Sequence, residues 1–189
     1  FFISVLFVFY SCEDLIDPAI ENNRGLEDMY AEAEFAQGIL LNAYTRLPGN
    51  SWSFNDVATD DAVTNDITSG YLKAATGQWA ANNNPFDQWT NSRSAIQYLN
   101  LFLAEADKVQ WAKDENVSAL FRDRLKGEAY GLRALYMYYL LQAHAGTGTN
   151  DQLLGVPILL EPETSASDFN VARSSFEDCM KQLYSDVKK

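Results

Sequence analysis

The chain has 189 residues, 47% of them hydrophobic and 13% aromatic, which is enough apolar material for one sizeable core and excludes a disordered chain. Its net charge of −12, with no basic patch to offset it, argues against nucleic acid or an anionic membrane surface as the main partner. One histidine and two cysteines cannot assemble a metal cluster from the usual soft ligands.

The chain opens on FFISVLFVFY, Phe1 to Tyr10, a run of apolar residues broken only by Ser4. Ten helical residues rise about 15 Å, half of the roughly 30 Å bilayer core, so the run is too short for a stable span. It has the length of a signal-peptide apolar region. The run stops at Ser11-Cys12 and acidic residues follow at once, a pattern that resembles a bacterial lipobox with Cys12 as the acylated first mature residue. The alternatives are an ordinary signal peptide, or a buried strand of a truncated chain, with Cys12 incidental. Lipid on Cys12 leaves Cys179 without an intrachain partner, so Cys179 is expected to be a buried small hydrophobe. Glu13-Asp14-Leu15-Ile16-Asp17 resembles the acidic signal that sends Bacteroidetes lipoproteins to the cell surface. The expected organisation is a partial lipoprotein signal over 1–11, a lipid-anchored tether over 12–30 and a helical domain over 31–189. The missing initiator methionine and a last helix still periodic at Lys189 lead us to expect a fragment at both ends.

The first predicted helix covers about Ala31 to Leu47, with Phe35, Ile39, Ala43 and Leu47 as its core stripe and Pro48-Gly49-Asn50 as its stop. Residues 50–84 show no helical period, and a stretch of about 35 residues without its own helix is often functional. The second helix is predicted to start with Asn84 as N-cap and Pro85 at the first helical position. Trp89, Ile96, Leu99 and Leu103 carry its buried face to about Ala106, which puts Trp89 in the core.

The third predicted helix, about Val117 to His144, is the longest and the centre of the chain. Phe121, Leu125, Ala129, Leu132, Tyr136, Tyr139 and Ala143 share one face. Gly127, Gly131 and Ala134 make a second face small enough for another helix to approach closely. A flexible turn at 146–151 leads to Leu153–Leu160, broken by Gly155 and Pro157 and read as an extended packed connector. The fourth helix opens on the capping-box pattern Ser174-x-x-Glu177, and Phe176, Met180, Leu183 and Val187 form its stripe. Four helices in antiparallel pairs with long irregular loops give an all-α, tetratricopeptide-like fold.

Several features in order resemble the amino-terminal part of the SusD/RagB family of outer-membrane nutrient-binding lipoproteins. They are Ser11-Cys12 with Leu15, Asp17 and Pro18, then Asp60-Asp61 after the first helix, then Trp89, Ile96 and Asn100. The most specific piece is Gly127-Glu128-Ala129 with Leu132-Arg133-Ala134 and Tyr136, followed by Gly146, Gly155-Val156-Pro157 and Arg173. Two departures stand out: Arg93 where an aromatic is common, and Gln142-Ala143-His144-Ala145 in place of a basic-aromatic helix ending. The resemblance implies a cell-surface lipoprotein of polysaccharide utilisation. It would bind a glycan, sometimes a peptide, and act as a lid for a SusC-like TonB-dependent transporter. It implies no catalytic activity and no cofactor. A protein-binding helical scaffold without its own small ligand is the alternative.

Sugars are recognised by flat aromatics with amides and carboxylates around them, which makes Trp52, Trp79, Asn82 and Asn83, with Asn84 beside them, the candidate ligand residues. Taken singly, each tryptophan is expected more to pin the loop to the helices than to bind ligand, because large aromatics are mostly buried. Trp111 is expected to be a packing or surface residue. Asp60 and Asp61 are expected to serve a turn, since adjacent carboxylates supply neither a calcium shell nor the two-sided pair of a glycosidase. Glu128 and Arg133 are expected to bond across helices, and His144 to cap or to complement a helix dipole.

Overall fold

A computed structural model describes residue 25 and residues 27–49, 54–80 and 82–189. Cys12, the expected signal and acidic segment, and Trp52 lie outside the described residues. The helices run in the order α1 (Asp28–Ala31), α2 (Ala33–Tyr44), α3 (Gly70–Ala75), α4 (Trp89–Glu105), α5 (Glu115–His144) and α6 (Phe176–Val187). A 3-10 turn at Phe54–Ala58 precedes α3, and β1 (Gly146–Thr147) pairs antiparallel with β2 (Leu153–Leu154) between α5 and α6. The fold is all-α and tetratricopeptide-like. No helix among the described residues is long and apolar enough to cross a membrane.

α4 packs against both α2 and α5, and α5 in turn against α6. The core between them holds Leu40, Leu99, Phe102, Tyr136, Leu140 and Cys179, all almost fully buried. Burial pushes the Tyr136 phenol up to about 12, so it stays protonated and donates to the carbonyl of Ala43 in the last turn of α2, where carbonyls lack intrahelical partners. α1 begins inside the stretch expected to be tether, and its Met29 is fully buried beside Ala36 and Val109.

α5 begins where Asp114 accepts from the Val117 amide at 3.0 Å and at 30 residues reaches about 45 Å. Its buried face differs from the predicted stripe. Leu125, Ala129, Leu132 and Tyr136 are buried as expected, but Phe121 is 46% exposed. Arg133, Met137, Leu140 and Leu141 are buried instead, because the carboxyl-terminal half is held between α4 and α6. The close approach expected over Gly127 and Gly131 is absent: a Cβ at either meets no described atom within 4 Å. The glycine that does sit in a tight approach is Gly155, where a Cβ would run into Cys179 Sγ and lie 3.2 Å from Leu141.

A buried polar hub ties three helices together. Arg133 of α5 makes a bidentate pair with Asp186 of α6, 2.7 Å on both sides, and donates to Asn100 Oδ1 of α4 at 2.8 Å. Gln182 adds a bond to Asp186 at 3.0 Å. Asn100 then donates to the carbonyls of Leu159 and Glu161, and one and two turns earlier Gln97 and Arg93 bond Glu163. Arg93, Gln97 and Asn100 recur at helical spacing, so one face of α4 grips the connector as an extended strand-like segment. That is why residues 155–163 run extended with almost no sheet partner, as the glycine and proline predict.

Three sequence expectations shift. The first helix ends at Tyr44, not Leu47. The fourth helix is capped by Ser175, whose hydroxyl accepts from the Asp178 amide and donates to its carboxylate, one residue beyond the predicted box. Its buried positions are Cys179 and Asp186, while Val187 is 63% exposed. The expectation for Cys179 holds, with its thiol against the backbone of Val156. The expectation for Arg133 and Glu128 holds too, the latter accepting from Tyr44 of α2 at 3.3 Å.

Candidate functional site: an aromatic cleft before α4

The region read as aperiodic contains the short helix α3, and local side-chain bonds build it. Asp66 accepts from the amide and hydroxyl of Thr68, at 2.9 and 2.6 Å, which holds its carboxyl below the ordinary carboxylate range. Ser69 caps α3 through the Leu72 amide at 3.4 Å. α3 closes at Gly77, whose φ of 80° is a conformation that glycine tolerates. Six residues are too few to show a helical period, which is why the pattern hid it.

From Gly77 the chain turns back on itself. Asn83 donates to the Gln78 carbonyl at 2.8 Å, and its amide bonds the Ala80 carbonyl at 2.8 Å. Asn84 accepts from the Phe86 amide at 2.9 Å and reaches the Ala143 carbonyl of α5 at 3.3 Å. Asn84 is therefore a turn residue, and α4 starts four residues later than predicted, at Trp89, after Asp87 accepts from the Trp89 amide. These turns set Trp79 in a stack with Phe86, 5.8 Å between centroids at 25°, and Tyr71 of α3 edge-on to Phe86 at 5.3 Å.

The result is an open cleft of about 380 Å³ lined by Asp56, Ala58, Thr59, Ala74, Trp79 and Phe86. Trp79 is 52% exposed although one face is covered by Phe86. A half-exposed indole with a fixed tilt, beside a carboxylate and a hydroxyl, can stack on an apolar sugar face while Asp56 and Thr59 bond its hydroxyls. Of the sequence candidates, Trp79 lines the cleft. Asn82 is exposed and its amide bonds no other described residue. Asn83 is spent on closing the loop. Asp56, Thr59 and Phe86 went unnoticed in the sequence because the turns that assemble them leave no periodic signal.

Other expectations near the cleft change. Trp89 is not a core residue: it is 41% exposed, edge-on to His144 at 5.4 Å and under the Arg93 guanidinium at 5.7 Å. His144 caps as expected but serves a different helix. Its Nε2 accepts from the Gln88 amide at 3.2 Å at the start of α4 and lies 3.1 Å from Asp87. Burial holds its pKa below 6.5 against the pull of Asp87, so it is a neutral acceptor and not a cation complementing the α5 dipole. The α5 terminus is capped instead by Arg173, which donates to the carbonyls of His144 and Gly155 at 2.7 Å. Asp60 and Asp61 are exposed, and the Asp61 amide bonds Thr59 Oγ1 within a turn. Trp111 packs as expected, its indole donating to the Ala106 carbonyl. Among the described residues no group of three or more His, Cys, Asp or Glu side chains could hold a metal ion.

A family model described as SusD-like, starch-binding associating with outer membrane, matches residues 19–189. The chain belongs to the SusD-like family. No curated protein matches this SusD-like chain, whereas solved structures do. A SusD-like protein from Bacteroides fragilis superposes with a TM-score of 0.69 at 16% identity, over 87% of this chain and 30% of that one. A putative sugar binding protein from Bacteroides vulgatus gives 0.62 at 26% identity, over 88% and 36%. A laminarin-binding SusD-like protein gives 0.63 at 20% identity, over 82% and 32%. The SusD-like chain thus spans about a third of the length of these structures, and the likeness shows a shared helical fold.

Proposed function

We propose that the chain is the amino-terminal part of a cell-surface, outer-membrane lipoprotein that binds a glycan and hands it to a SusC-like TonB-dependent transporter. Family membership supports the class. The observation that carries the ligand chemistry is the half-exposed Trp79, held by Phe86 in a cleft with Asp56 and Thr59. In this reading Trp79 stacks on the sugar, Asn82 reaches hydroxyls from the rim, and Asn83 keeps the loop closed. Trp52 is a second stacking ring, and Cys12 carries the lipid anchor. Laminarin, the ligand of one structural relative, suggests gluco-oligosaccharides as first probes.

The test is calorimetric titration of the intact protein with hexamers of α-1,4-, β-1,3- and β-1,4-linked glucose, beside Trp79→Ala. Saturable binding to at least one, weakened about tenfold or more by the substitution, is the expected result, since truncating an aromatic anchor commonly costs more than about 1.4 kcal/mol. Binding that Trp79→Ala leaves untouched would move the site elsewhere. Absence of binding, with recovery of a transporter on purification from membranes, would favour the scaffold reading.

A further inference from the structure

The cleft carries an unbalanced charge. Asp56 lines it, and its carboxylate has no hydrogen-bond or ion-pair partner among the described residues. Thr59 also lines it, and its hydroxyl lies 3.5 Å from the carboxylate of Asp61, with Asp60 exposed beside it. From residue 54 to residue 88 the sequence holds five aspartates and one lysine. That lysine, Lys73, acts on Asp66. The arginines of the neighbouring scaffold are engaged elsewhere: Arg93 with Glu163 at 3.4 Å, and Arg173 with backbone carbonyls. Among the described residues no cation pairs with Asp56 or Asp61, beside which a sugar on Trp79 would lie.

Resting on the reading above, we propose that Asp56, with Asp60 and Asp61, determines specificity by charge: the cleft takes neutral glycans and rejects those bearing carboxylates or sulfates. A sugar ring on the indole would bring a carboxylate at C6 within the screening length of these groups, which is about 8 Å at physiological ionic strength. Repulsion between unit charges a few ångströms apart at a protein surface is worth about tenfold or more in affinity. Neutral hydroxyls meet no such cost, and a carboxylate acceptor bonds them more strongly than a neutral oxygen would.

The experiment pairs each glucose hexamer with the same hexamer oxidised at C6 to the carboxylate, titrated into the intact protein in 50 mM and 1 M NaCl. The expected result is binding of the oxidised form about tenfold or more weaker at low salt, with the gap narrowing severalfold at high salt. Asp56→Asn, which keeps the side chain's shape and breaks no hydrogen bond, should narrow the gap at low salt, and adding Asp60→Asn and Asp61→Asn should narrow it further. Equal or tighter binding of the oxidised hexamers, or a gap indifferent to both salt and the substitutions, overturns the charge proposal while the Trp79 site stands. If neither form binds, or Trp79→Ala changes nothing, the site reading fails and the proposal with it.

Discussion

The α4–α5–α6 core and the segment from residue 54 to residue 88 both rely on polar side chains, but over opposite distances. In the core, Arg133 reaches 53 positions along the chain to Asp186 and 33 back to Asn100, and Asn100 reaches 59 onward to Leu159. In the cleft segment Thr59, Asp66, Ser69, Thr76 and Asn83 bond partners no more than five residues away. Its hydrogen bonds to the helical scaffold run through Asn84 and Gln88. Long-range bonds make the core a cooperative unit in which one lost group is felt by three helices. Short-range bonds let the cleft segment keep its shape locally, so its exposed side chains can change without disturbing the scaffold. That division suits the proposed site, in which loops carried by a rigid frame would hold the ligand.

The comparison breaks most sharply at Arg133. Arg133→Met leaves Asp186 buried, 4% exposed, without its counter-charge. The expected loss is about 3–5 kcal/mol, read as a drop in the urea midpoint. Arg133→Met with Asp186→Leu removes both charges and should recover most of the loss. If the single variant costs less than 1 kcal/mol, the hub is not what couples the helices.

Gly155→Ala comes next. The added methyl meets Cys179 and Leu141 at the joint between connector, α5 and α6, and overpacking of this kind costs about 1–3 kcal/mol. A Gly155→Ala, Cys179→Ala double variant should be more stable than the sum of the singles. Simple additivity would mean that the two side chains do not meet.

The two regions also differ in how much of them the sequence reveals. α4, α5 and α6 were legible because a helix of twelve or more residues repeats its apolar face several times, and Leu99, Leu125, Tyr136 and Met180 sit where that repeat puts them. The errors came where a long-range partner overrides the repeat. Arg133 and Asp186 are buried only because each has the other, and Phe121 and Val187 are exposed although they fit the stripe. In the cleft, composition pointed to Trp79, but Asp56, Thr59 and Phe86 meet it through turns made by Gly77, Asn83 and Asn84. Each of those turns obeys a local rule. Their sum does not show in any periodicity, and Asn84-Pro85 satisfies the rules for a helix start equally well.

His144 joins the two regions, and pH tests the joint. Its folded pKa lies below its unfolded value of 6.5, so the unfolded chain takes up the proton first as pH falls. Stability from this group is complete above pH 6.5 and declines as pH drops from 6.5 toward the folded value. Asp87 and Arg173 face the ring and pull in opposite directions. The melting temperature of the wild type should therefore fall over this window relative to His144→Gln, which does not titrate. Parallel profiles would show that the ring titrates as it does in the unfolded chain.

The smallest expected effect on the fold belongs to Trp79→Ala. Half of the indole already faces solvent, and among the described residues its one aromatic contact is Phe86 within the same local turn. The loss of stability should stay below about 1 kcal/mol, as for surface positions without long-range partners. The same substitution removes the flat face that a sugar would cover. Trp79→Phe, which keeps a smaller flat face, should bind between Ala and wild type with equal stability. A Trp79→Ala protein that is strongly destabilised would instead place the indole among the residues that hold the loop to the helices. Binding lost without stability lost is the outcome that separates a ligand platform from a structural pin.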